Sequence, residues 1–137
     1  MAVTAGLCIC AKLDFLTGVH EKTDKYKIAL YSPAAQLTPF CEEYSKQDEV
    51  VGQGYVAGGM ELQGYSAYCE GIEACIEWTK ETLWKNASIT ARGAVIYNAS
   101  KGNRAILVMD VTDVHGNPVT STNGNFKLDA GIAVKIG

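Results

Sequence analysis

Glycine constrains this chain more than any other residue: fourteen glycines against three prolines fall between short apolar runs. Such punctuation suits tight turns between strands and leaves little room for long helices. The runs themselves alternate with the period of a strand. Asp24–Tyr31 is one, closed by Pro33, and Arg104–Val111 is nearly all apolar, as a strand covered on both faces must be. Ser88–Tyr97 carries Ile89, Ala91, Val95 and Tyr97 on one parity and reads as a further strand, joined to Arg104–Val111 by the polar loop Asn98–Asn103. Glycine or asparagine marks turns at His115–Pro118 and Asn123-Gly124, with strands expected near Gly124–Leu128 and Ile132–Ile136. Short strands at this spacing predict an all-β fold, an antiparallel β-sandwich of jelly-roll-like type.

Three segments read less simply. Lys12–Leu16 followed by Gly18 predicts a short N-terminal helix with a glycine stop, although Leu7, Cys8 and Cys10 suit the start of a strand. Ser32–Asp48 reads as a long surface loop with one helical turn at Cys41–Tyr44. Glu49–Tyr55 then resumes extended structure, and Gly58-Gly59 turns it back into Met60–Gln63 as a hairpin. Glu70, Glu73, Glu77 and Glu81 would line one helix face, but four unrelieved acids repel one another. The alternation of Ile72, Ala74, Ile76 and Trp78 favours a strand over Gly71–Thr79.

A chain of 137 residues supports one core, and 47 % hydrophobic with 20 % charged residues is an ordinary globular balance. The net charge of −3, with no basic block, disfavours direct binding to nucleic acid, which needs clustered cations against the phosphates. The first twelve residues lack the basic start of a signal peptide and are too short to cross a bilayer. Folding in a bacterial cytoplasm, without membrane association, is the expectation. Five cysteines, an odd number with no C-x-x-C pair, fit reduced thiols better than disulfides or a zinc site.

Ile28-Ala-Leu-Tyr31, Gly52-x-Gly54-Tyr55-x-Ala57-Gly58-Gly59 and Thr90-Ala-Arg92-Gly93-Ala94-x-Ile96-Tyr97-Asn98, with Asn103-Arg104-Ala105, stand in an order that resembles small virion structural proteins of tailed phages. The resemblance spans roughly residues 12 to 110. It implies a head decoration or cement protein on the capsid surface, with the major capsid protein as partner and self-association as dimer or trimer. Alternatives are a tail or head–tail adaptor component and a carbohydrate-binding module of the virion. The residues that would specify fold or interface are Tyr31, Tyr55, Gly58, Gly59, Trp78, Trp84, Arg92, Gly93, Tyr97 and Arg104.

Signals for chemistry are thin. No Gly-x-Ser-x-Gly elbow or phosphate-binding Gly-Lys-Ser/Thr loop occurs. His20 and His115 each lie near a turn and read as solvated bystanders, so that His20→Ala should change little. Cys8 and Cys10 share a parity, and Glu73 and Glu77 another, without the partners that a metal or a hydrolytic site would add. Asp110 and Asp113 suit a turn cap. Lys101 and Arg104 suit pairing with nearby acids. The expectation is a protein that binds, with no catalytic residue, metal or cofactor.

Overall fold

The computed structural model describes residues 3–128 and 132–136. Its elements are β1 (Gly6–Leu7), α1 (Ile9–Leu16), β2 (Tyr26–Tyr31), β3 (Met60–Glu61), β4 (Tyr65–Glu70), β5 (Glu73–Trp78), β6 (Thr82–Ala91), β7 (Gly93–Asn98), β8 (Arg104–Asp110), β9 (Val119–Leu128) and β10 (Ile132–Ile136). The fold is all-β and sandwich-like, with antiparallel sheets and one short helix near the N-terminus. A five-stranded sheet runs β1-β8-β7-β2-β3, a three-stranded sheet β10-β5-β4, and β6 and β9 form a two-stranded ribbon.

The large sheet holds the core. All six residues of β7 are buried, as are Ile28 to Tyr31 of β2 and Ala105, Ile106 and Val108 of β8. Each smaller sheet is fastened to this core by one tryptophan. Trp78 of β5 packs at 5.3 Å from the ring of Tyr26 in β2, with Tyr65 beside both. Trp84 of β6 meets Phe126 of β9 edge-on at 5.9 Å and Tyr55 at 6.1 Å. With 1 % and 2 % of their surface exposed, both tryptophans bury their large apolar area in the core.

Several sequence expectations need correction. The strand expected over Ser88–Tyr97 is two strands in two sheets. The chain bends at Arg92, where the backbone N–H donates to Tyr31 and the carbonyl accepts from Val111. Residue parity runs unbroken through Ala91-Arg92-Gly93, so nothing in the period marks the break. Glu49–Tyr55 forms no strand and touches its neighbours through single bridges, Glu49 to Tyr31 and Gln53 to Ser88. Gly58-Gly59 therefore closes no hairpin, and β3 pairs with β2 instead. Cys41–Tyr44 is not a helical turn, because residues 42–44 lie extended against the start of β8, with Ala105 N–H donating to Glu42. Asn123-Gly124 lies inside β9 as an irregularity, where Asn123 adopts φ +48° and the register with β6 shifts on either side of Ala87. The helix begins earlier than expected, at Ile9, which takes Cys8 to its N-cap and Cys10 into its first turn.

Glycine does more here than turn the chain. The Gly52–Gly59 segment lies so close over two strands that a side chain at Gly52, Gly54 or Gly59 would not fit. A Cβ on Gly54 would stand 2.7 Å from Ala87 Cα, and one on Gly59 would stand inside the carbonyl of Ile28. Both residues also have φ near +80°, which glycine alone adopts cheaply.

Candidate interaction surface

α1 is inverted relative to an ordinary surface helix. Ile9, Leu13 and Leu16, at i, i+4 and i+7, form one stripe, and they are 47, 62 and 85 % exposed. The residues turned inward are Ala11, which is fully buried, and Asp14, 4 % exposed. The Asp14 carboxylate takes both Nε and Nη2 of Arg104 on β8, at 2.5 and 3.1 Å. A bidentate pair of this kind is directional. It sets the rotation of the helix about its own axis and thereby leaves the leucines facing outward.

Beside this helix the three-stranded sheet opens a groove of about 650 Å³. Phe15 and Leu16 form one wall. Ala67 and Cys69 of β4, Ile76 of β5 and Val134 of β10 form the floor, and Lys12 stands at the rim. The register explains the floor: Ala67 pairs with Ile76 and Ile76 with Val134, so all three project from one face. Ile72 at the tip of the β4–β5 hairpin is 96 % exposed. Stripe and groove share Leu16 and together form an apolar surface of the kind that marks an interaction site.

Of the residues singled out in the sequence, Arg104 anchors α1 at this site and Arg92 is a partly exposed ion-pair residue, while the tyrosines and tryptophans lie elsewhere, in or against the core. Tyr55 and Tyr97 converge on one buried carboxylate, Glu49, which is 7 % exposed. Its oxygens accept from Tyr44 Oη at 2.6 Å, Tyr55 Oη at 2.5 Å and Gly58 N–H at 2.8 Å. Tyr97 Oη closes the set by donating to the Gly58 carbonyl at 2.5 Å, and its ring stacks on Tyr44 at 4.7 Å. Burial, then the Glu49 charge, pushes the Tyr97 phenol up to about 12, and burial with the hydrogen bond to Glu49 raises Tyr44 and Tyr55 as well. Tyr31 donates to the Ser45 carbonyl at 2.7 Å. Gly93 faces Leu37 and Val3, and Arg92 pairs with Asp110 at 2.7 Å. Gly59 serves the close approach to β2. Trp78 and Trp84 are buried, so neither offers a ring at the surface.

His20 is not the solvated bystander expected. Its imidazole is fully buried, 4.8 Å from the Phe15 ring, with Nδ1 at 3.0 Å from the Asn98 amide and Nε2 at 3.7 Å from Asp14. Nε2 is buried without a hydrogen-bond partner among the described residues. Burial lowers the pKa of His20, against the pull of Asp14 and Asp24. Nearby, Lys101 bonds both Glu21 and Asp24, tying the loop before β2 to the β7–β8 hairpin. His115 is exposed. Asp113 caps its own turn, accepting from His115 N–H and Asn117 N–H.

The five cysteines are free thiols. Burial, and then neighbouring Cys41, pushes Cys8 up to about 12, so it is inert at neutral pH. Among the described residues, no group of three or more His, Cys, Asp or Glu stands close enough to hold a metal ion, and no helix is long and apolar enough to cross a membrane. Compared with family models, curated proteins and solved structures, the chain matches none.

Proposed function

We propose that this chain is a structural protein of a tailed-phage head, a decoration or cement subunit that binds across major capsid subunits and associates with copies of itself. The observation that carries the reading is the outward-facing stripe Ile9-Leu13-Leu16 beside the apolar groove. A helix that turns Ala11 and the Asp14–Arg104 pair inward and leaves both leucines in water gains by docking. The resemblance of the Ile28–Tyr31, Gly52–Gly59 and Thr90–Ala105 blocks to phage virion proteins supplies the partner. Many copies on one lattice would add modest contacts into firm attachment.

The test is binding of the purified chain to phage heads stripped of it. Leu13→Asp and Leu16→Asp should leave folding within about 0.5 kcal/mol of the parent, because both sites are exposed, and should abolish attachment. Copy number on intact particles separates a capsid location from a single tail ring. Absence from finished virions, or turnover of a substrate by the purified chain, overturns the proposal.

A further inference from the structure

β4 is an edge strand of the three-stranded sheet. Exposed edges usually carry a device against further pairing, such as brevity, a lysine or a bulge. Other edges among the described strands have one. β1 and β3 are two residues long, β10 carries exposed Lys135, and the β6–β9 ribbon is broken by register shifts. β4 has none of these. Its six residues, Tyr65 to Glu70, pair with β5 without a shift, and all but Tyr65 are exposed.

The direction of the free backbone groups follows from the hairpin. Gly71, at φ +60°, and Ile72 make a two-residue turn, so Glu70 and Glu73 are its closing hydrogen-bonded pair. Bonds to β5 then fall on Glu70, Tyr68 and Ser66. The N–H and C=O groups of Tyr65, Ala67 and Cys69 point away from β5, in the plane of the sheet. No loop or turn backbone bond among the described residues reaches them.

We infer that a second copy of this chain pairs antiparallel along β4, about a two-fold axis at Ala67. Outward-pointing residues must oppose one another, which allows only registers that match Tyr65, Ala67 and Cys69 among themselves. Full overlap then puts Ala67 opposite Ala67 and Tyr65 opposite Cys69, each pair exchanging both bonds. Charge permits this register, since Glu70 falls opposite Gly64 and not opposite another acid. Shape favours it as well. Ala67 and Cys69 belong to the floor of the groove, and joining two edges makes one six-stranded sheet with an apolar floor continuous across the axis. Of the proposed function this uses self-association alone and names its surface; it does not depend on capsid binding.

The full chain in solution tests it. Sedimentation or light scattering should find a dimer, and Ala67→Lys should weaken dimerisation about tenfold or more, with melting unchanged at concentrations low enough for the parent to be monomeric. In a Cys69→Ser background, Ala67→Cys should cross-link to its twin under mild oxidation, because a hydrogen-bonded antiparallel pair sets Cα atoms about 5.5 Å apart, within disulfide reach. A chain that stays monomeric at high micromolar concentration overturns the inference. So does a dimer that survives Ala67→Lys without the Ala67→Cys cross-link, and so does a monomer whose β4 edge accepts only a foreign strand. Loss of head attachment in Leu16→Asp with the dimer intact would separate this surface from the capsid-facing one.

Discussion

The side-chain amide of Asn98 donates to Nδ1 of His20 at 3.0 Å, and this decides where the imidazole carries its proton. The Asn98 amide also donates to Asp24 Oδ2 at 2.8 Å, while its oxygen accepts from Ser100 N–H at 3.0 Å. Flipping it would lose both. Nδ1 is therefore an acceptor, and the single proton of the neutral ring sits on Nε2.

Acid should weaken this protein through His20. A second proton on Nδ1 would face an N–H donor in a buried site. The charged groups around the ring are Asp14 on α1, Asp24 and Glu21 in the following loop, Arg104 on β8 and Lys101 in the β7–β8 loop, with the Tyr26 phenol beyond. The acids raise the pKa and the bases lower it, and burial, the largest influence, sets the sign: the folded pKa lies below the ordinary 6.5. The unfolded chain thus binds more protons, so this contribution is whole above about pH 6.5 and is lost as pH falls toward the folded value. Urea midpoints measured from pH 7.5 down to 5 should fall, and His20→Gln should flatten that part of the slope. An unchanged slope would remove His20 from the explanation.

His20→Ala should cost about 2–4 kcal/mol in chemical denaturation, since it empties a packed site and strips Asn98 of an acceptor. A solvated imidazole would lose almost nothing, so one measurement decides between a buried ring and an exposed one.

Tyr55→Phe should cost about 1–3 kcal/mol, because two groups lose a partner at once. Leu30 N–H donates to Tyr55 Oη at 2.9 Å, and the same hydroxyl donates to Glu49. A double-mutant cycle with Glu49→Gln should show coupling, and additivity would mean that the two do not share one network.

Three glycines should rank by what surrounds them. Gly59→Ala meets the Ile28 carbonyl and should cost more than about 3 kcal/mol or prevent folding. Gly93→Val presses on the Leu37 and Val3 side chains, with a Cβ 2.8 Å from Leu37 Cδ1, and should cost about 1–3 kcal/mol. Gly71→Ala has open space and pays only for φ +60°, about 1–2 kcal/mol. Thermal melts of the three would show a different order if close approach were not the dominant constraint.

What the sequence disclosed depended on how far apart the deciding residues lie. β2, β5, β8 and the β7–β8 loop were legible because strand period and turn chemistry are local. The six residues of β4 were missed, since Tyr65-Ser-Ala-Tyr-Cys-Glu alternates only weakly and takes its place from pairing with β5. The helix start was misplaced because Cys8 offers no capping oxygen at Ile9. The fate of His20 was hidden for a different reason. Asn98 lies 78 positions away, and neither residue alone announces the other. The outward stripe of α1 was equally out of reach, because Asp14 is recruited inward by Arg104, 90 positions along the chain.

The chain passes directly from the β6–β9 ribbon into the large sheet, with Arg92 alone between β6 and β7. Tension applied to the ribbon is carried along covalent bonds into the most deeply packed strand of the molecule. Amide exchange that reports β6 and β7 opening together would make them a single cooperative unit.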